Sequence, residues 1–492
     1  MIDAVSWAVV TPELVLLALA CVIALYDLFV DAPLRDSTYR LTQLTLGVVA
    51  ALEGYLALSG QTLSGFGGTV VSDPLAAWLK CFATVALMVT LVYARPYAGA
   101  RDMLRGGELF TLSMFALLGM FIMISGHHFL LLYLGLELLT LSSYALVALR
   151  RDDARATEAA MKYFVLGALA SGFLLYGLSL IYGATGSLHV PVVAQAVAAG
   201  VREPMVLTLG VVFVVAGVAF KLGVVPFHMW VPDIYHGAPT AITLLIGGAP
   251  KLAAFAILVR LLAESLPAVA ADWESMLLVL AVLSLVVGNL AAVAQRNVKR
   301  MLAFSTIAQM GFMLLALVGG IGGGAGTAGD AWGAAMFYVV TYVLTTLATF
   351  GVMLLLTRAG FESEELEDFA GLNQRSPLYA GVMAACLLSL AGIPPLVGFY
   401  AKLAVLQALL AVGGGVYVGL AVFAVLASLV GAFYYIRLIK VMYFDAPQQT
   451  APIEAPLEVR AVLSANGALV LLLGLLPGGL MALCVQAVRA VL

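Results

Sequence analysis

The sequence predicts an all-α integral membrane protein with about 14 transmembrane helices, and two observations lead to that prediction. Hydrophobic residues make up 63% of the 492 positions and charged residues only 10%, whereas a soluble domain carries about 25% charged residues. Apolar runs long enough to cross a bilayer, about 20 residues each, recur along the chain. They lie near residues 13–30, 41–60, 73–94, 107–125, 128–149, 158–183, 204–222, 240–263, 274–295, 301–320, 331–357, 377–411, 414–441 and 460–488.

Basic side chains divide unequally between the predicted loops. Sixteen belong to the loops that follow odd-numbered runs, and the opposite side has only Arg202 and Arg489. Because loops rich in lysine and arginine remain in the cytoplasm, we expect both termini outside it. The first 13 residues contain no basic side chain before the first apolar run, which argues against a cleaved signal peptide.

Two apolar runs are interrupted by helix-breaking residues, and their positions predict an inverted repeat. The interrupting residues are Gly223, Pro226 and Pro232 in the seventh run and Gly392, Pro394, Pro395 and Gly398 in the twelfth. Lipid tolerates such breaks only where protein or a water-filled cavity satisfies the freed carbonyl groups. The two runs are five apart and therefore cross in opposite directions, as the halves of an inverted repeat do. We recognise no residue-level repeat, so this prediction rests on topology.

The predicted organisation has four parts, each with its own set of helices. Residues 1–106 form three transmembrane helices. Two inverted five-helix repeats follow, at 107–265 with a broken helix near 204–236 and at 272–441 with a broken helix near 377–411. Residues 442–492 form a loop and the last transmembrane helix.

Lysines inside apolar runs are the main candidate functional residues. Lys221 and Lys251 flank the first break, and Lys402 follows the second. Even on mild scales a lysine in hydrocarbon costs about 2.5–3.5 kcal/mol, so an intramembrane lysine indicates a functional site. Lys162, one turn after Glu158, forms either an ion pair at the membrane edge or part of the site.

Two other cations within apolar runs receive a structural interpretation. Lys80 follows Asp73 by seven residues, and Arg260 lies near a helix end. Both are expected to extend their charged groups to the interface.

Further ionisable and hydroxyl groups suggest how a proton could reach these lysines. Glu137 lies near the middle of the fifth run, and Lys221 is its expected partner. A row of lysines joined by water and led by such a pair can pass protons stepwise, so we predict transfer from Lys221 through Lys251 to Lys402. Side chains that could complete the path are His228, His236, Tyr338, Tyr342 and Thr345.

Several features are expected to have no catalytic role. The glycine-rich stretch at 319–330 is predicted to be a flexible linker, and the acidic patch at 362–368 a solvated loop or a docking surface. The four cysteines lack metal-ligand spacing, so no metal site is predicted. The net charge of −3 gives no indication of nucleic-acid binding.

Four stretches resemble the antiporter-like proton-channel subunits of NADH–quinone oxidoreductase, respiratory complex I. They read KLGVVPFHMWVPDIYHGAPT, GGAPKLAAFA, NVKRMLAFSTIAQMGFM and LSLAGIPPLVGFYAKL, and the resemblance extends from about the fourth run to the thirteenth. Subunit N fits better than its two homologues. The lateral helix and extra spans of subunit L do not follow the core, and Lys402 stands where subunit M typically has glutamate.

The resemblance implies that Glu137, Lys221, Lys251 and Lys402, with Lys162 as an auxiliary group, carry protons out of the cytoplasm. It implies a bacterial inner membrane, homologous antiporter-like and small membrane subunits as partners, and NADH:quinone oxidoreductase activity for the whole complex. This chain is then expected to hold no cofactor, with FMN, iron–sulfur clusters and quinone in partner subunits.

Two other functions stay open. A subunit of a sodium/proton antiporter or a membrane-bound hydrogenase would share the fold, and a scaffold would hold its lysines in inert ion pairs.

Overall fold

The computed structural model describes residues 4–323, 325–357, 361–447 and 453–492, nearly all of them helical. Within these ranges, short 3₁₀ turns at Phe66–Gly68, Pro267–Val269 and Leu366–Phe369 and a π turn at Val259–Glu264 adjoin the α-helices. The helices are α1 Ala4–Val9, α2 Thr11–Asp27, α3 Asp36–Ser59, α4 Pro74–Gly99, α5 Glu108–Ser125, α6 Phe129–Val147, α7 Ala154–Thr185, α8 Val190–Ala199, α9 Pro204–Leu222, α10 Trp230–Gly237, α11 Thr240–Gly247, α12 Pro250–Leu258, α13 Ala270–Val293, α14 Val298–Gly322, α15 Ala325–Leu356, α16 Leu372–Arg375, α17 Pro377–Ala391, α18 Val397–Val412, α19 Gly414–Phe444, α20 Leu457–Leu475 and α21 Gly478–Arg489.

The predicted all-α membrane class is confirmed. In the described ranges, 12 helical segments are long and apolar enough to cross a bilayer, with α11, α12 and the π turn counting as one. The 17-residue α2 and the α17–α18 pair bring the crossings to the predicted number. The central segments α11–α12 and α14 are wholly buried within the chain, whereas α3, α19 and α20 are largely exposed.

Contacts between loops show that the ends of the helices lie on two opposite faces of the protein. On one face, which we call the basic face, Arg155 of α7 contacts Glu364, and Asn297 before α14 contacts the same residue. On the opposite face, the backbone N–H of His127, before α6, donates to the carbonyl oxygen of Thr69 at 2.8 Å, and the His127 side chain pairs with Glu264. The sequence-predicted alternation of loops therefore agrees with the structure, although Arg358, one of the 16 loop cations, lies outside the described residues.

An inverted repeat is present, and its register is regular at residue level. His128 caps α6 on the opposite face, and Asn297, 169 positions later, caps α14 on the basic face. The helix backbone packs closely at Gly119 and again at Gly288, also 169 positions later. Leu139 and Gly135 approach Gly119, and Ala308 and Phe304, 169 positions later, approach Gly288. The side chains differ, which is why the sequence alone shows no repeat.

The two breaks have the same backbone geometry. Gly223 ends α9 with φ +78°, and Gly392 ends α17 with φ +86°. In each case the glycine N–H donates to the carbonyl four residues earlier, at 2.9 Å and 3.0 Å respectively. A left-handed glycine cap stops the helix while satisfying part of its last turn. The chain then restarts as α10 in the first repeat and as α18 in the second.

Three local features differ from the sequence prediction. A hairpin of Leu63–Gly65 (β1) and Val70–Ser72 (β2) covers the opposite face. The predicted glycine linker is largely helical, because α14 continues to Gly322 and α15 begins at Ala325. The last predicted run is interrupted before Gly478, so α20 crosses alone and α21 is a separate short helix.

Candidate functional site

At the first break the last carbonyl groups of α9 lack helical hydrogen-bond partners, and Lys251 donates to one of them. The ammonium of Lys251, on α12, donates to the carbonyl oxygen of Leu222 at 2.8 Å. Its Nζ also lies 5.6 Å from the centre of the Trp230 ring, at the start of α10. A cation is favoured there because the last carbonyl groups of a helix lack partners and carry partial negative charge. Lys251 is 1% exposed, and among the described residues its ammonium contacts only this carbonyl group and the Trp230 ring.

Lys221 and Glu137 lie beside this break without a direct ion pair. Glu137 acts on the ammonium of Lys221 electrostatically, and Lys221 acts in turn on Lys251. The carboxylate oxygen Oε1 of Glu137 is buried and has no hydrogen-bond partner among the described residues. The structure thus brings the predicted Glu137, Lys221 and Lys251 together, but as separated charges.

The second break is satisfied by Lys402, which lies on α18, the half-helix that follows the break. Its ammonium donates to the carbonyl oxygens of Leu390 at 2.9 Å and Ala391 at 3.1 Å. It also donates to the hydroxyl of Ser428 on α19 at 2.7 Å, and it lies 4.8 Å from the centre of the Phe312 ring. Ala391 follows Leu222 by 169 positions, so both breaks place a lysine on the equivalent carbonyl group.

Hydroxyl groups predicted as a proton path surround Lys402. Tyr338, Tyr342 and Thr345 line a narrow cavity of about 10 Å³ together with the lysine, which is room for about one water molecule. Tyr342 exchanges a hydrogen bond of 2.8 Å with Thr306, and Tyr338 donates to Gln309. Gln309 belongs to the same network and donates to the Leu390 carbonyl at 3.0 Å and to Tyr435 at 3.1 Å. Tyr435, which the sequence pattern did not indicate, also contacts Ser305.

The remaining predicted site residues lie nearer the surface. Lys162 is exposed and pairs with Glu158 at 2.8 Å and with Asp233 at 3.5 Å, so it stands outside the buried lysine row. The ring nitrogen Nδ1 of His228, within the break, is buried without a partner in the described structure. His236, in the last turn of α10, faces Glu364 at 4.0 Å on the basic face.

Contrary to the sequence interpretation, Lys80 and Arg260 do not extend their charged groups into solvent. Each is only 1% exposed, because carboxylates inside the protein satisfy it. Lys80 pairs with Glu13 and, at 3.5 Å, with Glu53. Arg260 pairs with Asp73 at 2.7 Å and Glu264 at 2.6 Å. Neither cation therefore needs to reach the interface.

The acidic patch is also more ordered than the solvated loop that its composition suggests. Glu362 pairs with Arg101, and Glu364 pairs with the buried Lys299 at 2.9 Å. Burial favours the neutral form of the Glu364 carboxyl, but the Lys299 ammonium outweighs this effect and lowers its pKa below the ordinary value. Sequence reasoning missed Lys299, although its place two residues after the helix-capping Asn297 was an available signal.

Chemically, the arrangement separates two kinds of buried cation. Lys80, Arg260 and Lys299 touch carboxylates, whereas Lys251 and Lys402 touch only neutral groups in the described structure. A carboxylate partner fixes the charge of a cation, whereas a lysine held by neutral groups in a low-dielectric site can gain or lose its proton. No group of three or more histidine, cysteine, aspartate or glutamate side chains in the described ranges could hold a metal ion.

Comparison with known proteins agrees with this architecture. The family described as NADH:quinone oxidoreductase/Mrp antiporter, TM, matches residues 126–428. A chain of the Mrp complex from Dietzia sp. DQ12-45-1b shares the fold, with 20% identity and a TM-score of 0.82 over 99% of this chain and 97% of the other. The inverted repeats, their broken helices and these matches define an antiporter-like membrane subunit.

Relatives with higher sequence identity show which family within this class the chain belongs to. NADH-quinone oxidoreductase subunit N of Polaromonas naphthalenivorans is 66% identical over 100% of this chain and 99% of the relative. A chain of respiratory complex I from Thermus thermophilus with bound aureothin is 34% identical, with a TM-score of 0.79 over 96% of this chain and 98% of the other. The chain belongs to the subunit N family of NADH-quinone oxidoreductase.

Proposed function

We propose that this chain conducts protons across the membrane as a subunit of NADH:quinone oxidoreductase. The observation that carries the proposal is the pair of lysine ammonium groups on equivalent carbonyls of the two breaks. Each lysine is buried and lacks a direct carboxylate partner within the described structure. Such a lysine can hold a proton at Nζ and release it when a neighbouring charge changes.

The path we propose runs from the basic face to the opposite face. Glu137 and Lys221 form its charge-sensitive start, Lys251 passes the proton on, and Lys402 releases it. The hydroxyl groups of Tyr338, Tyr342 and Thr345 line the cavity next to Lys402 and can orient one water molecule there. Lys162 has an auxiliary role at the surface, where Asp233 links it to α10.

The energy for transport comes from partner subunits in this proposal. FMN, iron–sulfur clusters and quinone are assigned to those subunits, and this chain performs no redox chemistry of its own. Homologous antiporter-like subunits and small membrane subunits adjoin it in a bacterial inner membrane, with both termini on the periplasmic side. Within the chain, we assign residues 1–106 to the three-helix N-terminal part and 107–265 and 272–441 to the two repeats.

The test is proton transport by the assembled complex in inverted membrane vesicles. NADH-driven acidification is measured with a pH-sensitive dye, with and without sodium, in the wild type and in a Lys221→Ala variant. We expect sodium-independent transport that falls by roughly tenfold in the variant, as loss of about 1.4 kcal/mol of charge interaction would give. A Lys440→Met variant, which removes a surface lysine, serves as the matched control.

Two results would contradict the proposal. Full transport in a correctly assembled Lys221→Ala complex would exclude the lysine row from proton conduction. Transport that requires sodium would favour the sodium/proton antiporter function, whose fold this chain shares.

A further inference from the structure

The acidic loop at residues 361–368, which we call the acidic strap, binds to the start of α14 through its backbone. The N–H of Val298 donates to the carbonyl of Glu364 at 2.6 Å, and the N–H of Leu366 donates to Arg296 at 3.1 Å. The same strand-like contact occurs on the opposite face, where Phe129 N–H donates to Leu188 at 2.9 Å. Val298 follows Phe129 by 169 positions, so the strap is the repeat partner of the segment around Leu188.

The two equivalent segments carry different side chains. On the opposite face the residue at the contact is Leu188, which has no charge, and on the basic face it is Glu364. Glu364 is 8% exposed and its carboxylate is surrounded by donors. Oε1 accepts from Lys299 at 2.9 Å, and Oε2 accepts from Asn297 at 3.3 Å and Arg155 at 3.4 Å. The fold thus repeats a backbone contact, but at this contact only the basic face has a buried carboxylate.

Glu364 reaches the first repeat through Lys299 and His236. The ammonium of Lys299 donates to the carbonyl oxygen of Ala238 at 2.8 Å, directly after the end of α10. The ring nitrogen Nε2 of His236, in the last turn of α10, lies 4.0 Å from the carboxylate oxygen Oε2 of Glu364. Because α10 is the half-helix that leads from the basic face to the break, this carboxylate holds its outer end.

We propose that Glu364 is a positioning residue for proton uptake, which holds Lys299 against the end of α10 and presents His236 as the group that collects protons. This role rests on the proposed proton function of the lysine row. His236 is partly exposed, so it can meet solvent on the basic face while its ring faces the buried carboxylate. A nearby carboxylate favours the protonated imidazolium, and histidine exchanges protons near neutral pH.

The charged groups around this pair determine the expected pH dependence. Burial, together with the cations Arg155 of α7 and Lys299 and Arg300 of α14, lowers the pKa of His236 below its ordinary value, and Glu364 is the carboxylate that opposes this effect. Within the strap, Asp368 accepts from the Glu364 N–H at 2.9 Å, and Glu362 acts on Lys299. Lys299 keeps Glu364 ionised, so its contacts persist at neutral pH and are lost only as pH falls through a pKa below about 4.3, the ordinary value for glutamate.

The experiment compares Glu364→Gln with Glu367→Gln in vesicles containing the assembled complex. Both changes remove one negative charge from the strap, but Glu367 is exposed. We record NADH-driven acidification between about pH 5 and 8, which brackets the ordinary histidine pKa of about 6.5. In Glu364→Gln, the three cations oppose protonation of His236 without a counter-charge, so transport should decline at lower pH than in the wild type. The rate at pH 8 should fall about tenfold, which corresponds to loss of about 1.4 kcal/mol of charge interaction between His236 and the carboxylate.

The controls separate this role from the proposed function. Glu364→Asp should restore the wild-type pH profile in part, whereas Glu367→Gln should leave it unchanged. If Glu364→Gln keeps the wild-type pH profile while proton transport is impaired in Lys221→Ala, only the positioning role is overturned. If Lys221→Ala keeps full proton transport, the proposed function is overturned as well. If Glu364→Gln prevents assembly, His236→Gln provides the test, because Glu364 of the acidic strap still pairs with Lys299 in that variant. An unchanged pH profile in that variant would then overturn the inference.

Discussion

The two helix breaks share a backbone and differ in how their freed carbonyl groups are satisfied. In the first repeat the donor is Lys251, which comes from the next membrane helix. In the second repeat it is Lys402, which lies on the continuation of the broken helix itself and has Ser428 as a further partner. The 169-position spacing shows that these lysines are not equivalent, because the position of Lys402 corresponds to Asp233 and that of Lys251 to Leu420.

The charge content of the two breaks differs as well. Glu137 and Lys221 lie near the first break, and the equivalent positions near the second are Thr306 and Leu390. The first break is therefore a set of interacting charges, whereas the second is one cation in a network of hydroxyl and amide groups. In both breaks a lysine donates to the last carbonyl group of the first half-helix. This indicates that the fold requires a hydrogen-bond donor at that position but does not fix which helix supplies it.

The largest expected effect comes from removing the donor at the first break. In Lys251→Ala the Leu222 carbonyl loses its partner, which costs about 1–3 kcal/mol, and loss of the buried side chain adds about 2–5 kcal/mol. Lys221→Ala also truncates a buried side chain, but its ammonium satisfies no carbonyl group in the described structure, so this variant should lose less stability than Lys251→Ala. Heating the purified complex and following retention of this chain on native gels measures the difference.

That comparison has a clear contrary outcome. If Lys221→Ala lost the chain at a lower temperature than Lys251→Ala, the assignment of Lys251 as the helix cap would be wrong. Lys440→Met again controls for loss of a lysine at the surface.

A smaller effect should separate the two glycine caps. Alanine at either position would adopt a left-handed backbone, which costs about 1–2 kcal/mol. In Gly392→Ala the new methyl group lies 2.8 Å from Cδ of Lys402, whereas in Gly223→Ala it lies 2.6 Å from a methyl group of Val231. We expect both variants to lose similar stability, but only Gly392→Ala to displace a proton-carrying side chain.

The measurement for the glycine pair is the number of protons moved per NADH oxidised. A selective decrease in Gly392→Ala agrees with the different origins of the two capping lysines. Equal decreases in both variants would show that the breaks respond as one unit, and the comparison would then need revision.

The sequence predicted the spans, the breaks and the lysines because each has a local signature in composition. Long apolar runs, prolines and isolated cations are visible without any knowledge of the fold. The partners of those cations are not local. Lys80 reaches Glu13 and Glu53 on two other helices, and Arg260 reaches Asp73 from 187 positions away. Snorkelling was the natural expectation for both, since nothing in sequence reveals which carboxylates pack against them.

The repeat register and the acidic strap were also beyond the sequence pattern. Equivalent positions such as Glu137 and Thr306 differ in chemistry, so only backbone geometry relates them. The composition of the strap predicted a solvated loop. Composition cannot show that Glu364 makes a buried contact with Lys299 while Glu367 stays exposed. The proton-transfer role of Glu137 and the lysines stays a prediction.

The most direct measurement is the proton-to-NADH ratio of a Lys402→Met complex in inverted membrane vesicles. Methionine keeps much of the apolar stem but has no ammonium group, so Leu390 and Ala391 lose their donor. The account predicts a lower ratio in an assembled complex, with Lys402→Arg retaining more transport than Lys402→Met because arginine still offers donors to the carbonyl groups. A wild-type ratio in assembled Lys402→Met would contradict proton conduction through the lysine at the second break.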